Sequence, residues 1–341
     1  MRIRPLPKRE VPEMDTPVSW GVLGAAKIAT EKVIPAMQRS EMSRVDAVAS
    51  RSPERAAATA QALGIPTAYG SYEELLADEM IEAVYIPLPN HLHSEWTMRA
   101  AEAGKHVLCE KPLAMTADQA AEMVEACDRA GVKLMEAFMY RLHPLWRRAM
   151  RLIEDGAIGE VRAMQTVFGY RNVDPANIRN IPEFGGGALY DIGCYAVNAA
   201  RLIFAAEPTD VKSVIRWDSD FGTDIVTSAV LDFDGRHAVF TCSTQMEPDQ
   251  RVAIEGTEGR LVLEIPFNIP PDVPTRLLHI AGGTPPVEPH IQVHEIPVAD
   301  QYTVQADVFS RAIRDGGPVP TPPGDAVANM AVLEQVFSAA G

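Results

Sequence analysis

The sequence predicts an α/β chain in two parts: a parallel sheet with covering helices, then an α+β unit on an open, mostly antiparallel sheet. Three observations predict it. Up to about residue 142, short apolar runs alternate with helical stretches, the rhythm of a parallel sheet with right-handed crossovers. From about residue 145, strand-like runs follow one another through turn residues, as antiparallel strands do. The length of 341 residues suits two domains. The expected divisions are a short flexible arm over 1–16, a first domain over 17–142 and a second over 143–341.

The elements of the first part follow in order. VSWGVLG, from Val18, is an apolar strand, and AKIATEKVIPAMQRS is helical with Pro35 inside it. RVDAVAS is the second strand. Ser52 with Pro53 is an N-cap with proline in the first turn, and ERAAATAQALG is a helix closed by Gly64. After TAYGS, Ser71 and Glu74 make a capping box for YEELLAD. IEAVYIPLP is a strand, HSEWTMRAAEAG a helix ending at Gly104, and HVLCEKP a strand. Thr116 and Gln119 cap ADQAAEMVEACDRAG, and KLMEAFMY completes the sheet.

In the second part VRAMQTVFGYR, DVKSVIRWDS, TSAVLDFDG, HAVFTCSTQ, QRVAIEGTEGRLVLEIP and HIQVHEIPV read as strands. One helix, ALYDIGCYAVNAARLIF, interrupts them. YTVQADVFSRAIRDGG and GDAVANMAVLEQVFSAAG close the chain and are expected to pack back on the first domain or on the sheet. FNIPPDVP and GGTPPVEP are proline-rich loops.

Composition narrows the function. A net charge of −15 argues against a nucleic-acid partner, which would need a basic face. Cys109, Cys127, Cys194 and Cys242 are scattered, so reduced buried thiols are expected rather than disulfides or a zinc knuckle. His91 and His93 have no third ligand nearby, so no metal site is expected. The N-terminal stretch has no apolar core of a secretory signal, and no run approaches the roughly 18 apolar residues of a membrane span. A cytoplasmic protein with no membrane partner is the expectation.

Four motifs carry chemistry. Gly24 follows a strand and opens a helix, where backbone N–H groups cradle a pyrophosphate. The fingerprint G-x-G-x-x-G here reads Gly24, Ala26, Ala29, and its loop supplies Gly24, Ala25, Ala26, Lys27 and Ile28. Alone, the stretch is also compatible with a plain strand–turn–helix. At the tip of the second strand stand Ser50 and Arg51, where a site for NAD would carry an acid. Arginine there suits the 2′-phosphate of NADP, so NADP is favoured over NAD. In CEKP, Glu110 and Lys111 sit at the carboxyl edge of the sheet, where open α/β sheets bind ligands. In GGGALYDIGCYAVN, Asp191 and Tyr195 are four apart and share a helix face, and the glycines would let substrate and nicotinamide approach the backbone. A phenol titrates at about 10, and an ammonium such as Lys111 beside it would lower that value.

Taken together, GVLGAAKIA, PLPNHLH, CEKPLA, EAFMYRLHP and GGGALYDIGCYAVN resemble, in that order, the glucose–fructose oxidoreductase/inositol dehydrogenase/rhizopine-catabolism (Gfo/Idh/MocA) family, over about residues 18–338. The form EAFMYRLHP is most similar to the branch with NADP-dependent D-xylose 1-dehydrogenases and dimeric dihydrodiol dehydrogenases. The resemblance implies a Rossmann domain followed by an open sheet domain that forms a homodimer or homotetramer interface. It implies Lys111 as the catalytic lysine, Tyr195 as acid/base, and Asp191 and Tyr195 on substrate hydroxyls. It places Pro89, Asn90 and His93 along the cofactor and Glu110, Tyr140 and Arg141 near the nicotinamide; Tyr190, Arg171 and Asn172 are further candidates for contact with the substrate. Alanine at the second fingerprint position is a variant of that branch.

The expected activity is hydride transfer between a sugar and NADP, with an aldose oxidised at its anomeric carbon to a lactone. A ketosugar reductase, a glycoside 3-dehydrogenase, a dihydrodiol dehydrogenase and a non-catalytic cofactor-bound sensor remain alternatives. Substrate choice is expected to rest on loops around Tyr170, Arg171, Asn172, Arg179 and Phe267.

Overall fold

The computed structural model describes residues 16–282 and 288–340. The arm expected over 1–16 lies, apart from Thr16, outside the described residues, as does the centre of the GGTPPVEP loop.

The first sheet is built as the alternation predicts. Its strands are β1 (Val18–Leu23), β2 (Ser43–Ala49), β3 (Thr67–Tyr69), β4 (Ala83–Ile86), β5 (His106–Cys109) and β6 (Leu134–Glu136). Their order is β3-β2-β1-β4-β5-β6 and every pairing is parallel, the dinucleotide-binding order. After β1 a helix runs over 27–38 and ends in α1 (Ile34–Gln38). Its middle, Ala29–Val33, is a π turn, which accommodates Pro35 because the wider turn does not require the hydrogen bond that proline lacks. The predicted caps form: Ser52 accepts from Arg55 N ahead of α2 (Pro53–Leu63), Ser71 from Glu74 N ahead of α3 (Tyr72–Leu76). The helix α4 (His93–Glu102) follows, and Thr116 accepts from Gln119 N ahead of α5 (Ala117–Ala130).

Next comes α6 (Pro144–Glu154), a helix absent from the sequence reading because His143, not a serine or aspartate, caps it. The second sheet then begins with β7 (Val161–Arg171). A π turn (Leu189–Gly193) leads into α7 (Cys194–Phe204). The remaining strands are β8 (Asp210–Trp217), β9 (Asp224–Asp232), β10 (His237–Ser243), β11 (Gln245–Gly256), β12 (Gly259–Leu263), β13 (Thr275–Ala281) and β14 (His290–Ile296). Their order is β14-β13-β12-β11-β7-β10-β9-β8, antiparallel except for β7 with β10. The sequence reading missed β13, whose adjacent Leu277 and Leu278 hide the alternation between two proline-rich flanks.

The closing helices α8 (Gln301–Asp315) and α9 (Pro323–Ser338) tie the sheets together. α8 packs on α1, β1 and β2, where Trp20 Nε1 donates to Ser310 Oγ at 3.1 Å and the Trp20 ring meets Phe309. α9 packs on α5 and α7, and Glu334 accepts from Ala117 N at 2.9 Å, at the start of α5. One apolar core runs from Leu23 and Ile86 in the first sheet through Tyr140 and Tyr195 to Phe240 and Leu277 in the second. The four cysteines are buried free thiols. Among the described residues no helix is long and apolar enough to cross a membrane.

Candidate active site

A cleft of about 680 Å³ opens at the carboxyl edge of the first sheet, with walls from both sheets. Its floor near β1 is the predicted loop. Gly24 has φ +121°, a conformation side chains rarely adopt, and a Cβ there would fall 3.0 Å from Leu88. Gly24 N donates to Ala49 O, and the helix over 27–38 is preceded by Ala26, whose methyl side chain cannot cap it. An uncapped first turn with free N–H groups fits an anion such as a pyrophosphate. Ala26, Lys27 and Ile28 face the cleft, and Ala25 O accepts from Arg55 Nη2 at 2.7 Å. Beside this loop Ser50 is buried and Arg51 is exposed. Asp46, mid-strand, is engaged by Ser19 Oγ at 2.6 Å and by Arg44.

Lys111 enters from the end of β5. Its Nζ donates to Asp191 O at 2.6 Å, lies 3.3 Å from Asp191 Oδ1, and stands 4.9 Å from the centre of the Tyr195 ring. Asp191 Oδ2 accepts from Tyr170 Oη at 2.5 Å and from Arg179 Nε at 2.8 Å. Burial alone would raise the Asp191 carboxyl, but Arg179 and then Lys111 hold it well below the usual carboxylate range. Burial is the largest influence on Lys111 and opposes its charge, but Asp191, Cys194 and Glu110 together outweigh it, so the ammonium titrates above ordinary lysine. An ammonium has three donors, and Asp191 occupies two.

The helix carrying Asp191 and Tyr195 is fixed at its start by Asp224 on β9. Asp224 Oδ2 accepts from Leu189 N at 2.8 Å and from Thr227 Oγ1 at 2.7 Å. The three glycines before it serve close packing. A Cβ on Gly186 would fall 2.6 Å from Arg179 O, and one on Gly187 would fall 2.0 Å from Asp224 Oδ1. Gly186 and Gly187 bring the Arg179 loop and Asp224 against the helix, while Gly185 lines the cleft.

Comparison with known proteins matches this fold. Residues 18–138 fit a model described as an oxidoreductase family with an NAD-binding Rossmann fold, and residues 146–262 fit the GFO/IDH/MocA C-terminal domain. The chain belongs to the Gfo/Idh/MocA oxidoreductase family. It is 47% identical to an uncharacterised oxidoreductase of Rhizobium meliloti, over 94% of this chain and 96% of that one. It is 41% identical to an NADP(+) D-xylose 1-dehydrogenase of Haloferax volcanii, over 94% of this chain and 97% of the other. The crystal structure of a 3-ketoreductase from Actinomadura kijaniata, with NADP and TDP-benzene, is similar with TM-score 0.88 at 31% identity, over 95% and 98% of the two chains.

In this Gfo/Idh/MocA protein the cleft gathers Ala26, Lys27, Ile28, Asn90, Glu110, Lys111, Asn172, Asp191 and Tyr195 among the residues singled out from sequence. Others lie elsewhere. His93 is fully buried, its ring nitrogens 2.9 Å from Pro112 O and 2.8 Å from Leu88 O, so it braces the cleft from behind. Tyr140 is fully buried and donates to Asn198 Oδ1 at 2.5 Å, while Arg141 pairs with Asp325. The chain turns back into the core after β6, which takes both away from the cleft. Tyr190 donates to Met115 O at 2.7 Å and packs on Phe337. Arg171 is exposed at the end of β7, and Pro89 flanks the cleft without lining it. His91 stacks on Phe184, with ring centroids 4.6 Å apart, so the two histidines serve different neighbours. Among the described residues no group of three or more His, Cys, Asp or Glu is placed to hold a metal.

The expected acidic phenol is corrected. Burial first, then Tyr302 and Glu110, push Tyr195 well above the ordinary tyrosine value. The reason is geometric: Lys111 stands over the ring face and is committed to Asp191, while among the described residues Tyr195 Oη has only Met139 Sδ, at 3.8 Å. Of the substrate-loop candidates, Tyr170, Asn172 and Arg179 line the cleft, and Phe267 is a fully buried ring against Tyr195. Sequence reasoning missed Tyr302, Asn177, Asn268 and Arg55. Tyr302 follows the Asp300 cap of α8, more than a hundred residues from the motifs, and nothing local marks it. Arg55 was legible in principle, one turn into the helix that follows Arg51.

Proposed function

We propose that the protein is an NADP-dependent sugar dehydrogenase that oxidises an aldose at its anomeric carbon to a lactone. The observation that carries this reading is the meeting of Lys111 and Tyr195 at the carboxyl edge of the dinucleotide sheet. A wall of hydrogen-bonding groups, Asn172, Asn177, Arg179 and Asn268, faces them and suits a polyol. The uncapped helix after Gly24 and the bases Arg51 and Arg55 fit the phosphates of NADP, the cofactor of the Haloferax and Actinomadura relatives.

The bound nicotinamide supplies the hydride acceptor. Lys111 offers its third N–H to the reacting sugar oxygen and stabilises negative charge developing there. Tyr195 exchanges the proton of that oxygen. Asp191, already engaged by Lys111, Tyr170 and Arg179, holds the ammonium in place. Because the buried phenol is neutral, it must lose its proton before it accepts one, and oxidation gains rate as pH rises.

That neutral phenol favours a second reading, reduction of a ketosugar, in which Tyr195 donates its proton to the new alkoxide. The exposed valines and isoleucine of the second sheet's outer face, Val214, Val230, Val239, Ile291 and Val293, support a homo-oligomer formed through it. A panel of aldoses, inositols and glycosides with NADP or NAD, and of ketosugars with NADPH, tests the activity by absorbance. Aldose oxidation with NADP is the expected result. No redox turnover on any of them would leave a cofactor-bound sensor instead.

A further inference from the structure

The wall of the cleft continues past Tyr170. Phe168, Tyr170 and Asn268 also line a second cavity of about 430 Å³, closed on its other side by Pro248, Asp249, Gln250 and Glu264. Strand register explains why it exists. Gln245 pairs with Arg171 and Asp249 with Gly169, so residues 246–248 bulge out opposite Tyr170. Bulges of this kind re-aim side chains beside active sites. Met246 folds across Gly169, where a Cβ would fall 2.5 Å from Met246 Cγ, and so turns the bulge away from β7.

The lining has the chemistry of a polyol site. Gln250 Oε1 accepts from Phe267 N at 3.1 Å and Asn268 N at 2.9 Å, which fixes the amide and leaves its NH₂ as a donor. Asp249 and Glu264 add acceptors, and Asn268 adds both kinds. Arg251 and Arg276 pair with Asp249 at 2.5 Å and Glu264 at 2.7 Å, but neither lines the cavity. Both arginines are thus taken up by the lining carboxylates, and among the described residues no lysine or arginine lines the cavity itself, so a diphosphate extension would meet no uncommitted cation there. A neutral, hydroxyl-rich ring beside the Tyr170 and Phe168 rings meets matching donors and acceptors.

We infer that this second cavity is a subsite for a second sugar ring, so that the substrate class is reducing disaccharides, with the reducing unit in the cleft at Lys111 and Tyr195. This rests on the sugar-dehydrogenase reading above. The test is calorimetric titration of the protein saturated with NADP, using xylobiose, cellobiose and maltose against D-xylose and D-glucose, alongside turnover of the same sugars. The inference expects at least one disaccharide to bind about tenfold or more tighter than the monosaccharides. It also expects Glu264→Ala and Asp249→Ala each to remove that advantage while leaving monosaccharide binding unchanged. Equal binding of both sizes, or variants that weaken both alike, would overturn it. Tight disaccharide binding that the variants abolish, without turnover of any sugar, would keep the subsite and sink the dehydrogenase reading. Monosaccharide turnover with no disaccharide advantage would do the reverse.

Discussion

Lys111 Nζ and the backbone carbonyl oxygen of Asp191 are 2.6 Å apart, and this contact joins the loop after β5 of the first sheet to the helix beside the second. The Asp191 carboxylate adds a second hold at 3.3 Å and is itself gripped by Tyr170 and Arg179. The ammonium is therefore placed by the second domain, although its backbone belongs to the first.

In the proposed mechanism Lys111 and Tyr195 act on one oxygen, so removing either should cost transition-state stabilisation. Lys111→Ala and Tyr195→Phe should each lower turnover by a factor on the order of 10²–10⁴, the usual worth of acid–base catalysis. Steady-state kinetics with NADP and the best sugar checks this. Near-normal turnover in both variants would contradict the assignment.

The Tyr195 phenol titrates well above ordinary tyrosine because it is buried among Tyr302 and Glu110. For oxidation, log kcat/KM should then climb through the alkaline range with no plateau near neutrality, and Tyr195→Phe should remove the climb. A pH–rate profile that levels off near pH 7 would show that Lys111 or the bound cofactor acidifies the phenol after all.

Glu136, at the end of β6, accepts from Leu113 N at 2.8 Å, and its Oε2 is buried without a partner. Burial, partly opposed by the Leu113 hydrogen bond, pushes its carboxyl up to about 8. The folded chain thus holds a proton that the unfolded chain has released above its ordinary value of 4.5. The stability this group contributes is complete below that value and is lost as pH rises toward about 8, at up to about 1.4 kcal/mol per pH unit. Glu136→Gln should match the wild type in urea denaturation near pH 4.5 and exceed it at pH 8. Parallel curves at both pH values would place an ionised carboxylate there.

Arg51 stands exposed beside the phosphate loop, and Arg55 donates to Ala25 O within it. Arg51→Ala should raise the KM for NADP far more than for NAD, since only NADP carries the 2′-phosphate. Arg55→Ala, which loosens the loop itself, should raise both. Equal changes for the two cofactors in Arg51→Ala would end the 2′-phosphate reading.

Much of this was legible locally. Ser52, Ser71 and Thr116 cap the helices that their spacing announces, and Gly24 holds the one positive φ that the phosphate turn demands. Strand β13 and helix α6 were not legible, the first because paired leucines break the alternation and the second because a histidine caps it. His93, Tyr140 and Arg141 show the limit of motif reading. Each stands within a stretch that resembles the family, yet each side chain is spent on the scaffold behind the cleft.

The sequence by itself determined the two-part α/β plan, the Gly24 turn and the residues Lys111, Asp191 and Tyr195 as candidates, because capping, periodicity and backbone freedom are set by neighbours in the chain. Only the tertiary structure decided what those residues do to one another. The charge on Lys111 goes to Asp191 instead of the Tyr195 hydroxyl, and Tyr302 arrives from a helix far along the chain. Proton affinity depends on burial and on charges gathered across space, which are fixed only when both sheets and the closing helices have packed.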